Sequence, residues 1–276
     1  MDFPASPAPL VDIGANLTHD SFDRDRDNVL KRAFAANVTT LVLTGADRAS
    51  IEQSLALLDR YATTSDGYPR LVTTAGVHPH HAEEWNTALE ADIQQALSRS
   101  DVVAVGECGL DYFRDFTPRS TQRATFEAQL ALAATTGAPL FLHERDASRD
   151  MIEMLTHWRD DISNAVVHCF TGDKATLYAY LDLDMHIGLT GWVCDERRGA
   201  HLHPLVKEIP AERLMIETDC PYLLPRDLPI PPKGHRHEPA LLPWINATLA
   251  RLRGCDEDTL ARQTTHTAER FFGLVS

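Results

Sequence analysis

The feature of this sequence that most constrains its fold is an alternation of short apolar runs with helix-like segments. Most of the runs are nearly continuous in apolar, often β-branched residues, as is typical of parallel strands covered on both faces. Eight such runs occur, at residues 10–16, 39–45, 70–77, 101–107, 138–144, 164–170, 185–192 and 213–219.

The intervening segments carry helix signals. The clearest helix is predicted over residues 118–136, with Thr117 as N-cap, Pro118 at the first helical position and Gly137 as the stop. Strand and helix alternate eight times in a chain of 276 residues, which predicts an α/β fold, a TIM (β/α)8 barrel. A doubly wound open sheet is the main alternative. Its commonest cofactor-binding form is disfavoured because no G-x-G-x-x-G follows the first run.

We expect one domain over residues 1–276. Residues 1–9 form a short N-terminal tail, the proline-rich segment 222–237 is predicted to be a loop after strand eight, and residues 239–271 supply two closing helices. We find neither an internal repeat beyond the strand–helix unit nor a second domain.

Composition limits the class of function. The net charge of −14 argues against a protein that coats nucleic acid by bulk electrostatics, but not against an enzyme that holds a polyanion locally. The sequence has no apolar run long enough for a membrane span and no secretory signal. Its five cysteines are widely spaced without a C-x-x-C pair, so we expect a cytoplasmic protein without a disulfide framework.

The carboxyl ends of the eight runs carry an unusual set of residues. Because the carboxyl ends of barrel strands meet on one face, these side chains are expected to converge there. The end residues are Asn16, Gly45, His78, Glu107, His143, His168, Trp192 and Asp219.

Four of these residues predict a metal site. Glu107, His143, His168 and Asp219 provide two imidazoles and two carboxylates, a set that suits a divalent metal with open coordination positions. Any one of them alone is more easily explained as a hydrogen-bonded polar residue or a helix cap. Four ligand-type residues at four strand ends favour the metal.

Several long motifs resemble the TatD family of metal-dependent deoxyribonucleases. They are "GECGLDYFRDF", "FLHERDA", "VVHCFTGD", "GLTGWVCDERRG" and "IETDCPYLLPRD", and the resemblance extends over roughly residues 10 to 273. It implies a TIM barrel and a divalent metal, typically Mg²⁺, with Mn²⁺ and Zn²⁺ as alternatives. It also implies 3′→5′ exonuclease activity on single-stranded DNA and RNA, which is hydrolysis of phosphate esters. We expect a monomer without membrane association.

The resemblance also assigns roles to residues of this chain. By matching motif, Glu107, His143 and His168 are metal ligands, and Asp219 is a ligand or the base for the attacking water. Glu107 and Asp219 are therefore the predicted catalytic residues. His78 of "GVHPH" matches a histidine that contacts substrate phosphate.

The chain departs from the wider family at the end of strand one. Most members carry H-x-H there, whereas this chain has Gly14 and Asn16, within residues 12–17, "DIGANL". Two ligands of a binuclear site are therefore missing. We expect one well-held metal and a second that is weak, water-bridged or delivered with substrate. Asn16 is predicted to bind a metal-bound water, with a turn-capping role as the equal alternative.

Further substrate contacts are predicted among arginines and one tryptophan. Arg145 is the first choice for a phosphate clamp, since it follows His143 by two residues on the same strand. The other candidates are Arg197, Arg198, Arg226 and Arg236. Trp192 is predicted to stack on a base, with core packing as the alternative.

The predicted mechanism is hydrolysis by a metal-activated water, with Asp219 accepting its proton. One alternative is an esterase that deacylates mischarged D-aminoacyl-tRNA, or a related amidohydrolase. The amidohydrolase is disfavoured because the chain lacks both the strand-one H-x-H and a strand-four lysine, having Glu107 there. A non-catalytic binding protein is the third alternative, and the presence of all four ligand residues disfavours it.

Overall fold

The structure, a computed structural model, describes residues 4–64 and 66–274 and contains one sheet of eight parallel strands in chain order. A parallel bridge between Ala15 and Cys220 joins the last strand region to the first, so the sheet is a nearly closed barrel. The predicted TIM barrel is confirmed. The strands are β1 (Leu10–Ala15), β2 (Val38–Leu43), β3 (Arg70–Ala75), β4 (Val102–Asp111), β5 (Leu140–Arg145), β6 (Ala165–Val167), β7 (His186–Leu189) and β8 (Leu214–Ile216).

Eight α-helices occur in the described part of the chain, six of them between strands. They are α1 (Arg26–Ala35), α2 (Arg48–Tyr61), α3 (Thr87–Ala96), α4 (Arg119–Thr136), α5 (Ser148–Trp158), α6 (Lys174–Asp182), α7 (Leu242–Arg253) and α8 (Glu257–Phe271). The β7–β8 connection is made of 3₁₀ turns instead of a long helix. Among the helices that the structure describes, none has the length and apolar character needed to cross a membrane.

The barrel interior is apolar at the amino ends of the strands. Inward side chains such as Val11, Val72 and Phe141 form a buried cluster with Phe271 and Phe272 from the end of α8. These phenylalanines close the lower end of the barrel. Since successive side chains of a strand alternate between faces, the other residues pack outward against the helices. The ligand-type side chains lie at the other end of the barrel, at or just beyond the carboxyl ends of the strands.

Strand β4 does not end at Glu107 as the sequence suggested. It continues to Asp111, and its pairing with β5 shifts register between Gly106 and Cys108. Gly106 has φ +146°, and a Cβ at that position would collide with the Phe141 carbonyl. The glycine lets two backbones approach closely, so Glu107 lies at an irregularity inside the strand.

Helix α4 begins one residue later than predicted. Pro118 occupies the N-cap position, and Thr117 does not cap the helix, because its hydroxyl donates a 2.6 Å hydrogen bond to the Pro79 carbonyl. Gly137 ends the helix in a left-handed conformation, as expected.

Gln129 of α4 connects this helix to the segment that carries His78. Its side chain is fully buried, its Oε1 accepts from the Val77 N–H at 2.7 Å, and its Nε2 donates to the Val77 carbonyl at 3.0 Å. Gln129 therefore supplies hydrogen-bond partners for the N–H and the carbonyl of Val77, which lies beyond the end of β3 and has no strand partner.

We predict that Gln129→Leu lowers the free energy of unfolding by about 2 to 4 kcal/mol, because it leaves the buried Val77 N–H and carbonyl without partners. Urea denaturation followed by circular dichroism measures the change. Gln263→Leu, on the exposed side of α8, is the matched control and should change it by less than about 0.5 kcal/mol. Equal effects of the two substitutions would contradict this role for Gln129.

Candidate metal centre

Three imidazoles meet one carboxylate oxygen at the carboxyl end of the barrel. Glu107 Oε1 lies 2.7 Å from His168 Nε2, 2.9 Å from His143 Nδ1 and 3.5 Å from His78 Nε2. His78, Glu107 and His143 offer ligand atoms that all lie within 4.8 Å of one another. The sequence predicted that Glu107, His143, His168 and Asp219 would converge. The first three meet here together with His78, and Asp219 lies beside them.

Most of the site residues lie in the loops that follow the strands, and fewer of them lie on the strands than the sequence predicted. Glu107 and His143 belong to β4 and β5, but His168 follows the last residue of β6. His78 and Asp219 each lie three residues beyond their strands. Asp219 adopts a left-handed backbone conformation with φ +54°.

Burial and mutual charge set the protonation of the cluster. Burial by itself would raise the pKa of Glu107, but the positive charge of His168 and the hydrogen bonds from His143 and His168 outweigh it and hold that pKa well below its usual range. Burial would lower the pKa of His168, yet the carboxylates of Glu107 and Glu217 hold it well above the ordinary value. Without a cation, Glu107 and His168 therefore form a buried ion pair.

The outer nitrogens of the histidines have distinct partners. His143 Nε2 lies 3.2 Å from Asp111 Oδ2, and His168 Nδ1 lies 3.3 Å from Glu217 Oε2. A carboxylate at the outer nitrogen keeps the proton there and turns the other nitrogen towards the centre. In His78, by contrast, Nδ1 accepts the His80 N–H, so the neutral ring carries its proton on Nε2, facing Glu107.

Asp111 and Glu217 were missed as site residues. Asp111 Oδ2 also lies 2.8 Å from His80 Nε2, and the fully buried Glu217 accepts the Cys169 N–H at 2.6 Å. Both residues occur within the motifs that carried the family resemblance. The sequence feature that could have identified them is an acidic residue that directly continues an apolar run. Burial of such a carboxylate is unfavourable unless it has hydrogen-bond or charge partners.

Glu217 also accounts for the space next to Gly14. A Cβ at position 14 would collide with Glu217 Oε2, so the carboxylate fills the room beside this glycine. At the second H-x-H position, Asn16 Nδ2 donates to Asp219 Oδ1 at 2.9 Å. Gly14 and Asn16, the two positions where an H-x-H motif was expected, therefore both adjoin acidic side chains that follow β8.

Asp219 lies beside the cluster, and its environment raises its pKa. Burial is the main cause, the charges of Glu217 and Glu107 add to it, and together they bring the pKa to about 7. The positive charge of His168 and the Asn16 hydrogen bond act in the opposite direction. A carboxyl group with this pKa can exchange a proton near neutral pH.

Arg145 and Trp192 lie outside the cluster. The Arg145 guanidinium lies 4.0 Å from the centroid of the Phe113 ring. Trp192 does not end β7 but lies on the 3₁₀ turn Gly191–Cys194, where Arg198 covers its ring at 4.3 Å. Three of the other candidate arginines are engaged by carboxylates, Arg198 and Arg226 by Asp195 and Arg236 by Asp25.

The donor set fits a divalent cation. A cation here would be held by the Glu107 oxygen and the inner nitrogens of His143 and His168, while the Nε2–H of His78 would remain a hydrogen-bond donor. Imidazole and carboxylate together suit several divalent metals, so the donors do not select one of them. The described cysteines take no part in this cluster, and all five are free thiols.

The chain is similar to known proteins over nearly its whole length. Residues 11–273 match the family model described as TatD related DNase. The chain is 47% identical over 266 residues, covering 96% of the chain and 100% of the relative, to a protein of Enterobacter lignolyticus named 3′-5′ ssDNA/RNA exonuclease TatD. A protein of Salmonella typhimurium with the same name is 46% identical, with the same coverage of both chains.

Solved structures share the fold. A TatD family hydrolase from Entamoeba histolytica has a TM-score of 0.86 at 24% identity, covering 98% of this chain and 99% of its own. A TatD homologue of Escherichia coli has a TM-score of 0.85 at 25% identity, covering 96% and 98%.

We predict that Glu107→Gln weakens metal binding by roughly tenfold or more, since even the loss of an outer partner of a ligand has an effect of about that size. Isothermal titration with Mn²⁺ measures the affinity. Glu153→Gln, an exposed glutamate of α5, is the control and should bind as the unmodified protein does. Unchanged affinity in Glu107→Gln would place the metal elsewhere.

Proposed function

The chain belongs to the TatD related DNase family, and from that premise we propose that it is a metal-dependent 3′→5′ exonuclease of single-stranded DNA and RNA. The observation that carries the proposal is the convergence of three imidazoles on the Glu107 carboxylate in a chain whose relatives bear that name. The reaction is hydrolysis of a phosphodiester, which releases mononucleotides.

Glu107, His143 and His168 are the proposed ligands, with Asp219 as a further ligand or the base. The carboxylates at the outer nitrogens of His143 and His168 support this choice, because they leave the inner nitrogens as electron-pair donors. We propose Mg²⁺ as the ion. When bound, it polarises a phosphate oxygen and lowers the pKa of a coordinated water.

His78 and Asp219 act on the substrate side in this proposal. The Nε2–H of His78 points into the cluster and would donate a hydrogen bond to a non-bridging phosphate oxygen. Asp219 would accept the proton of the attacking water, since it is a carboxylate beside Glu107 and His168. Asn16 donates a hydrogen bond to Asp219 Oδ1, which leaves Oδ2 as the oxygen that would accept the proton.

The remaining assignments concern substrate positioning and the whole protein. Arg145 is the proposed phosphate clamp, and Trp192 a contact at the rim. The net charge of −14 opposes a polyanion, so local cations must hold the substrate. We further propose that the protein is a cytoplasmic monomer with one domain over residues 1–276.

Hydrolysis of end-labelled single strands tests the proposed activity. With Mg²⁺, we expect release of mononucleotides from a strand with a free 3′ end and none from a 3′-blocked strand. A chelator, Glu107→Ala or His168→Ala should abolish the release, because each removes the metal or a ligand. Release that persists in all three would refute the metal mechanism, and release from the 3′-blocked strand alone would reverse the polarity.

We predict that Asp219→Asn lowers kcat by about 10²- to 10⁴-fold, the usual contribution of a general base. Steady-state assays on oligothymidylate give kcat, and circular dichroism checks the fold. Asp160→Asn, an exposed aspartate after α5, should keep full activity. If Asp219→Asn retains kcat and loses Mn²⁺ affinity instead, Asp219 is a ligand and not the base.

A further inference from the structure

The loop between β4 and α4, residues 112–118, exposes two aromatic rings to solvent. The Phe113 side chain is 54% exposed and Phe116 is 66% exposed. Burial of an aromatic ring is favourable, so two exposed rings on one short loop indicate a binding surface. We name this segment the aromatic loop.

The aromatic loop is held firmly at both ends. Asp111 Oδ1 accepts the N–H groups of Phe113 at 3.0 Å and Arg114 at 2.8 Å. At the other end, Thr117 donates its hydroxyl to the Pro79 carbonyl. The exposure of the rings therefore comes from a fixed backbone and not from a frayed segment.

The aromatic loop connects directly to the metal centre. The Phe116 ring packs edge-on against His80, with centroids 4.7 Å apart. His80 and His143 both contact Asp111 Oδ2, and His143 contacts Glu107. Asp111 thus fixes the loop with one oxygen and the cluster with the other, so the exposed rings lie on the rim of the candidate active site.

Two cations flank the Phe113 ring. The guanidinium of Arg145 lies 4.0 Å from the ring centroid and that of Arg114 lies 5.8 Å away. Over residues 4–64 and 66–274, no carboxylate oxygen lies within ion-pair distance of either guanidinium. Uncompensated cations next to exposed rings, in a chain of net charge −14, match a ligand with both phosphates and flat bases.

We propose that Phe113 and Phe116 form a stacking subsite for nucleobases of the single-stranded substrate, with Arg114 and Arg145 binding the adjoining phosphates. The proposal rests on the exonuclease function above and names how that site holds its substrate. Duplex bases cannot stack on these rings while they remain paired, so the subsite favours single strands. Trp192 is less suited, because its side chain is less exposed than these two rings and the Arg198 carbonyl accepts its indole N–H at 3.3 Å.

The subsite is tested by combining protein variants that lack one or both phenylalanine rings with substrate strands that lack one base. The protein variants are Phe113→Ala, Phe116→Ala and the double variant. The substrates are oligothymidylate and the same strand with one abasic residue, moved stepwise from the reacting end. Each lost ring should raise KM for the intact strand by about 5- to 100-fold, the value of one base–aromatic stack. Saturating kcat should stay within about twofold.

The abasic strands separate stacking from a structural role. The unmodified protein should lose affinity when the abasic residue occupies the subsite, and the double variant should lose nothing more there. Phe113→Trp should keep the low KM and Phe113→Leu should not. Phe34→Ala, which removes an exposed ring on α1 away from this loop, is the control. Equal losses of the double variant on intact and abasic strands would overturn the proposal.

Equilibrium binding distinguishes failure of the subsite from failure of the proposed function. Fluorescence anisotropy of a 5′-labelled oligothymidylate, with chelator present, reports binding without hydrolysis. If no strand is hydrolysed with Mg²⁺ but the rings still govern binding, the exonuclease assignment fails and the subsite stands. If hydrolysis proceeds and ring removal changes neither KM nor binding, the subsite alone fails.

Discussion

The carboxylate of Glu107 is the interaction on which the site depends. It is buried, and three histidines from the ends of three other strands meet one of its oxygens. A carboxylate in this position is tolerated only if cations or hydrogen-bond donors surround it. The β4 irregularity at Gly106 allows that approach, because a side chain there would collide with β5. The same irregularity of β4 therefore sets both the course of the strand and the position of the Glu107 carboxylate.

The surroundings of the cluster are short of positive charge. Asp12 and Glu217 are buried and Asp219 is half-buried nearby, and desolvation together with the charges of neighbouring carboxylates raises the pKa of Asp12 and Asp219 to about 7 each. Thr218 and Asn16 supply hydrogen bonds, but neither supplies charge. A divalent cation would relieve this excess of acid, which is why the same residues that make the apoprotein electrostatically unfavourable suit a metal-dependent hydrolase.

The barrel has an apolar lower part and a polar upper part. Packing in the lower part stabilises the fold, and this offsets the cost of burying charged groups in the upper part. Phe271 and Phe272 of α8 close the lower end, and the inward residues of the strands fill the middle. The upper loops are then fixed by side chains with two partners each. Gln129 holds the backbone before His78, and Asp111 holds both the aromatic loop and His143. Positioning of the ligands is therefore distributed over strands, helix α4 and the loops.

The sequence by itself determined the barrel and identified the side chains that converge at its carboxyl end, because both follow from local patterns. Apolar runs mark strands, and an acid or histidine after such a run is conspicuous at Glu107, His143 and His168. Only the tertiary structure decided what depends on contacts between distant residues: the continuation of β4 to Asp111, the partnership of Glu217 with Gly14 and His168, and the Phe113 ring beneath Arg145. These features depend on the pairing of one strand with another and on the space beside a glycine of a distant segment. Neither is a property of a single segment, so no local sequence pattern encodes them.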